Sequence, residues 1–270
     1  MRLSYCGTAV AALTLVSGCF DGGDVVPVNL DFAYTNAGYI NSGDFKAGSF
    51  LLWNKAEGKM RHLSDVAGFE APDHPRDKTL QTAQYSSGAD LGLGGRKALI
   101  QARADALISA HSTFEISYPN TVAYDKYLSR VSRYLSEDIR EDGDLMREWN
   151  FREAANSRDL YYVLIRKVTY GDGIALKIDG AARAEAAFSV PVQGADVSIA
   201  LRGKGLQTIS GTNTEIAFDV AVLRAEWQDN DAGGQNPAFA PQLWVDLSDL
   251  PELFRKTASA QATPHAAPRP

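Results

Sequence analysis

The chain predicts an α+β fold, a largely antiparallel sheet interrupted by a helical middle segment. Three observations predict it. Apolar residues alternate with period two early in the chain, recur every three or four residues between Arg96 and Ala155, and return to period two from Asp159 onward. Strands therefore come in runs on either side of a helical run, an order that suits α+β better than the strand–helix alternation of a parallel sheet. The composition, 45% hydrophobic and 22% charged over 270 residues, supports a sizeable core.

Taken in order, Val26, Val28, Leu30, Phe32 and Tyr34 fall on one side of a half-buried strand, with Pro27 suited to its start or to an edge. Ser49–Trp53 and Met60–Leu63 flank Ala56-Glu57-Gly58-Lys59 as a hairpin. Ala71–Lys78, with two prolines and four charges, reads as a surface loop. Thr82–Leu93 reads as a Gly/Ser-rich strand, and Arg96–Ala110 as a helix with Ile100, Ala104, Leu107 and Ile108 on one face. Phe114, Ile116 and Tyr118 alternate as a short strand ended by Pro119. Asn120 then stands where it can cap a helix whose stripe is Tyr124, Leu128, Val131, Leu135 and Ile139. Glu141-Asp142-Gly143-Asp144 breaks that helix before a second one at Leu145–Ala155. Leu160–Tyr170 opens with apolar residues on both faces, as a central strand does. Gly171-Asp172-Gly173 reads as a turn into Ile174–Ile178, and Phe188–Pro191 and Val197–Leu201 follow, with Gly203-Lys204-Gly205 as a hairpin turn. The strongest strand is Glu215–Trp227, with Ile216, Phe218, Val220 and Val222 facing one way. A polar loop at Gln228–Asn236 and a short helix at Leu247–Lys256 complete one α+β domain over 25–256, and 257–270 reads as a disordered Ala/Pro tail.

Ahead of this domain lies a leader. Arg2 supplies one positive charge, Gly7–Val16 is an uncharged apolar run, and small Ser17 and Gly18 lead into Cys19, so residues 1–18 read as a signal peptide. The run is shorter than the ~20 apolar residues that span a bilayer. Val16-Ser17-Gly18-Cys19 resembles the lipobox of bacterial lipoproteins. That resemblance implies diacylglycerol on the Cys19 sulfur, cleavage before Cys19 and acylation of the new amino terminus, with fatty acid such as palmitate incorporated and 19–24 left as a lipidated tether. Phe20, where aspartate would suggest inner-membrane retention in many Gram-negative species, implies the outer membrane, facing the periplasm. Read without the resemblance, the same residues are an ordinary leader with Cys19 free or paired. Cys6 leaves with that leader, so the mature chain has no second cysteine for a disulfide.

The formal charge of −6, with no basic stretch, argues against nucleic acid as a partner. No two of His62, His74, His111 and His265 stand at a metal-ligand spacing, and with no cysteine after Cys19 a structural zinc site of the usual kind is nearly excluded. Asp229-Asn230-Asp231 resembles the start of a calcium loop but has Ala240 where the bidentate acid belongs. Gly92–Gly95 (GLGG) lacks both the dinucleotide spacing and a P-loop lysine, and there is no G-x-S-x-G elbow. The acids Glu137, Asp138, Glu141, Asp142 and Asp144 read as a hydrated helix end. No catalytic residue, metal ligand or cofactor is therefore expected. Aromatic Tyr127, Tyr134 and Trp149, near the stripe of the middle helices, are the candidates for binding; core packing is the competing reading of the same spacing.

The second half carries another resemblance. RDLYYVLIRKVTY (158–170), AFSVPVQG (187–194) and SGTNTEIAFDVAVLRAEW (210–227) resemble, in this order, strands of the gasdermin pore-forming domain. The likeness covers about seventy residues and rests on a Phe-Ser-x-Pro segment and the run Gly211-x-x-x-x-Ile-Ala-Phe-x-Val-x-x-Leu223. It implies a lipid-inserting oligomer. The export leader departs from that family, whose bacterial members stay cytoplasmic. The expectation is thus a non-enzymatic, lipid-anchored envelope lipoprotein, attached to the membrane through acylated Cys19 and binding a protein or envelope ligand. The alternative is a gasdermin-like membrane pore-forming effector.

Overall fold

The computed structural model describes residues 25–43, 45–70, 80–90, 102, 105–106, 108–178, 187–192, 195–202, 209–230 and 233–262. The leader and tether, the loop at 71–78, the turn at 203–205, Gly92–Gly95, most of the helix at 96–110 and residues 263–270 lie outside them. Within them run thirteen strands: β1 (Val25–Asn29), β2 (Tyr34–Thr35), β3 (Gly38–Ile40), β4 (Ser49–Asn54), β5 (Lys59–Asp65), β6 (Leu80–Ser87), β7 (Ser112–Ser117), β8 (Asn120–Ala123), β9 (Leu160–Ile178), β10 (Ala187–Val192), β11 (Ala195–Arg202), β12 (Ile209–Asp229) and β13 (Gln235–Pro241). The helices are α1 (Tyr127–Arg140), α2 (Leu145–Glu148), α3 (Phe151–Asn156) and α4 (Leu250–Ala262). The fold is α+β, built on a large antiparallel sheet.

β9 and β12 are its spine. They pair antiparallel from Tyr162–Leu223 to Ile174–Ile209, and each also serves other strands along its far edge. β9 takes β4 at its start, β8 in its middle and β7 at its end. β12 takes β3 and β13. Following the pairs from β12 through β3, β2, β6, β7 and β9 returns to β12, so these six strands close a ring. A separate three-stranded sheet joins β1 parallel to β11 and β11 antiparallel to β10.

Alternation along the strands divides the apolar side chains between two faces. Phe50, Leu52, Tyr162, Leu164, Leu223 and Ala225 pack on one side against Val131 and Leu135 of α1, against Trp149, and against Phe151 of α3. Leu51, Trp53, Val163, Ile165, Phe218 and Val222 pack on the other against Leu250, Leu253 and Phe254 of α4. Helices on both faces explain why Leu160–Ile165 is apolar without a break: Leu160 and Tyr162–Ile165 are buried and Tyr161 is half-buried.

The structure departs from the sequence reading at identifiable places. The expected turn at Gly171-Asp172-Gly173 is absent, and β9 runs through it. The glycine serves close approach instead. A Cβ on Gly171 would stand 2.7 Å from Ile216 Cδ1 and 2.9 Å from the Ser117 carbonyl oxygen. Ile216 can swing aside but the carbonyl belongs to the β7 backbone, so Gly171→Ala is expected to cost about 1–3 kcal/mol, read as a lower urea midpoint. Asn120 opens β8 rather than capping a helix, and α1 starts at Tyr127 with no side-chain cap. β8 is fixed by pairing Val122 with Val168 and by a Thr121–Thr169 hydroxyl contact of 2.9 Å.

The expected helix over Leu145–Ala155 is two, α2 and α3, parted by Asn150 in the left-handed region at φ 55°. The expected strand from Val26 to Tyr34 breaks after Asn29, whose side-chain oxygen accepts the Asp31 amide at 2.8 Å, and Phe32 follows at φ 57°. Phe218, Val220 and Val222 share the face toward α4 as expected, and a register irregularity between Glu215 and Ala217 sets Ile216 apart from them. β13 begins inside the polar loop expected at Gln228–Asn236, and its prolines 237 and 241 suit an edge strand, paired among the described residues with β12 alone. α4 continues through Ala262, past Lys256 where the tail was expected to begin.

Candidate functional site

The aromatic residues singled out in the sequence sit on the α1–α3 face. Trp149 is 0% exposed, its ring 4.6 Å from Phe50 and stacked at 6.0 Å on Tyr134, and its indole N–H donates to Ser64 Oγ at 3.2 Å. It is a core residue, so its helical spacing reported packing. Tyr134 and Tyr127 are half-buried beside the same core, and the Arg166 guanidinium lies 5.5 Å over the Tyr127 ring. None of the three lines either of the two depressions described next.

The larger depression, about 640 Å³, follows the outer edge of β5. Its apolar floor comes from Leu52, Met60, Leu160 and, across the edge, Leu253 and Ala260 of α4. Lys59, Arg61 and Lys256 rim it with Glu57 and Glu153, three bases against two acids. Among the described residues β5 pairs only with β4. The Met60 carbonyl, opposite Trp53, points to the open side, where the Thr257 hydroxyl lies at 3.2 Å. Amide direction alternates along a strand, so the His62 N–H and C=O face the same side. The groove therefore offers backbone hydrogen-bonding groups beside an apolar floor. The sequence carried one signal of it. β4 is apolar at four successive positions, whereas β5 sets charged Lys59 and Arg61 on either side of Met60, as a strand at the margin of a sheet does.

The smaller depression, about 490 Å³, is lined by Tyr34, Tyr39, Arg166, Asp219 and, from the loop before α4, Asp246 and Ser248. Burial pushes the Tyr39 phenol far above its ordinary range, and burial followed by the Asp219 charge raises Tyr34. Both are neutral donors at physiological pH. Lys167 Nζ lies 2.9 Å from Asp219 Oδ2, which occupies both charges in an ion pair. Asp246 is held below the usual carboxylate range by hydrogen bonds from Ser248.

The other sequence candidates have local structural partners. His62 Nε2 lies 3.0 Å from Asp65 Oδ1. Asp138 accepts the Leu145 amide at 2.9 Å and ties α1 to α2. Asn230 accepts the Gly234 amide at 2.8 Å and closes the β12–β13 turn. Among the described residues no three His, Cys, Asp or Glu side chains gather as a metal site, and no described helix is long and apolar enough to cross a membrane. Compared with known protein families, curated proteins and solved structures, the chain matches none.

Proposed function

We propose that this chain is a non-enzymatic lipoprotein of the bacterial envelope, anchored through acylated Cys19 in the outer membrane, and that it holds an extended segment of an envelope protein along β5. The observation that carries the binding half is the open edge of β5 with its apolar floor. An extended peptide added there pairs with the N–H and C=O of His62 and with the second lone pair of the Met60 carbonyl, whose first is held by Thr257, and sets alternate side chains into the groove. The mixed charged rim disfavours indiscriminate strand pairing, the usual hazard of an open edge. The anchor half rests on the leader and on Val16-Ser17-Gly18-Cys19.

The test is affinity purification of the full chain from detergent-solubilised envelopes of cells fed radiolabelled palmitate. The wild-type protein is expected to carry label and one stoichiometric companion. Cys19→Ala loses the label. His62→Pro keeps it but loses the companion, because proline removes the outward N–H while an edge strand tolerates it. A companion retained at full yield by His62→Pro sinks the groove reading, and label retained by Cys19→Ala sinks the anchor.

A further inference from the structure

We propose that the loop between β13 and α4 is a second membrane contact, seating Trp244, Leu243 and Leu247 among zwitterionic lipid headgroups. The proposal rests on the anchored reading above. Trp244 is 96% exposed, Leu243 79% and Leu247 37%. Among the described residues the other exposed large apolar side chains, Leu80, Tyr118 and Ile139, are far apart in sequence, whereas these three fall within five residues. Scattered exposed apolar residues are ordinary; a cluster marks a contact surface.

The loop is held in shape from beneath. The Gln242 amide donates to the Val222 carbonyl at 2.8 Å, the Ser248 amide to Asp246 Oδ1 at 3.0 Å and the Leu250 amide to the Leu247 carbonyl at 3.1 Å. Pro251 is buried behind it. The two most exposed side chains are thus displayed on a braced turn, and little ordering remains to oppose insertion. Indole has an apolar body and a polar N–H, the combination that favours the membrane–water interface.

Two features of the chain select the occupant. Six peptide links separate Cys19 from Val25, a reach of at most about 22 Å. A protein anchored at Cys19 keeps its domain within that distance of the bilayer, where even a weak insertion is populated. Three side chains are far fewer than the roughly 20–30 residues a side of a stable protein interface. Charge then selects the lipid. The loop itself, residues 242–249, holds Asp246 and Asp249 and no lysine or arginine, so an anionic surface is disfavoured beside a zwitterionic one.

The mature chain supplies its own probe. Trp53 and Trp149 are fully buried and Trp227 is half-buried, which leaves Trp244 as the exposed indole. The acylated full chain is reconstituted in phosphatidylcholine vesicles with brominated acyl chains, and tryptophan emission is followed. Quenching with a blue shift is expected, absent in Trp244→Phe and at least several-fold weaker when phosphatidylglycerol replaces phosphatidylcholine. Palmitate labelling of the same sample reports the anchor independently. A labelled, vesicle-bound protein whose Trp244 stays as open to acrylamide as in detergent-free solution overturns the loop contact and leaves the anchor standing. An unlabelled protein overturns the anchor, and quenching in that sample still supports the loop. Protection of Trp244 without vesicles that grows with protein concentration overturns the lipid in favour of a second copy of the chain. Equal quenching by the anionic vesicles overturns the zwitterionic choice.

Discussion

Phe254→Ala destabilises the folded protein by about 3–5 kcal/mol, the range for deleting a fully buried aromatic ring. The ring centroid of Phe254 lies 5.8 Å from Phe32, 5.4 Å from Tyr39, 5.5 Å from Phe45 and 5.1 Å from Phe218, most of them in edge-to-face arrangements. Those rings belong to β3, β12 and the connections beside β2 and β3, which are themselves hydrogen-bonded into the closed ring of strands. They have little freedom to collapse into the space a methyl leaves, so the cavity cost is felt in full. A helix of thirteen residues such as α4 is marginal alone in water. It exists here because Leu250, Leu253 and Phe254 are buried against the sheet, and because Arg255 donates to the carbonyls of Asp31 and Gly88. Gly88 admits this contact: a Cβ there would stand 3.0 Å from Pro251 Cγ.

With an m value of about 2–3 kcal/mol/M, the urea midpoint of Phe254→Ala falls by roughly 1–2 M. Trp244→Ala, at a solvated position, changes stability by less than about 0.5 kcal/mol and leaves the midpoint almost where it is. Equal midpoints for the two variants would mean that α4 is not part of the core. The same substitution reaches function, since Leu253 and Ala260 of α4 line the β5 groove. Phe254→Ala is therefore expected to lose the companion of the wild-type protein at temperatures where α4 has detached, while palmitate labelling is unchanged.

The hairpin of β4 and β5, the central position of β9 and the long β12 were legible because each depends on a local pattern. Burial on both faces makes a strand uniformly apolar, and burial on one makes it alternate. What failed to show was whatever depends on a distant neighbour. Gly171 looks like a turn residue in sequence; that its missing side chain admits the Ser117 carbonyl is decided by β7, more than fifty residues upstream. Asn120 has the right chemistry for a cap, yet the ladder to Tyr170 claims it for β8. β13 offers one large apolar residue, Phe239, between prolines and alanines, and exists because the edge of β12 is there to receive it.

The candidate site was less legible than the fold for the same reason. A groove along an open edge is defined by where no strand lies, and its walls come from β5, α3 and α4, nearly two hundred residues apart in the chain. Trp149 attracted notice because aromatic residues mark binding sites, but they mark cores equally well, and its helical spacing matched the core stripe.

Raising the pH past 10 is expected to unfold the domain in a cooperative step, because four buried tyrosines resist ionisation. Tyr39, Tyr85, Tyr162 and Tyr170 are each pushed well above the ordinary phenol range, in every case first by burial; Asp105 adds to the effect at Tyr85 and Tyr124 at Tyr170. In the unfolded chain these groups titrate near 10. Below that pH both states hold the proton and the full stability is present. Above it the unfolded chain sheds protons that the folded one keeps, so stability falls with rising pH. The loss reaches about 1.4 kcal/mol per tyrosine at pH 11, or roughly 5–6 kcal/mol for the four, comparable with the whole stability of many domains. Tyrosinate absorbance and far-ultraviolet circular dichroism should therefore change together for these four tyrosines. Ionisation of these four near pH 10 with the fold intact would contradict it. Tyr162→Phe separates the cause from general alkaline damage. Its hydroxyl donates to the Trp149 carbonyl at 2.8 Å, and losing that bond costs about 1 kcal/mol at neutral pH. The variant also lacks one alkaline liability of about 1.4 kcal/mol at pH 11, so the less stable protein at pH 7 becomes the more stable one by about pH 11.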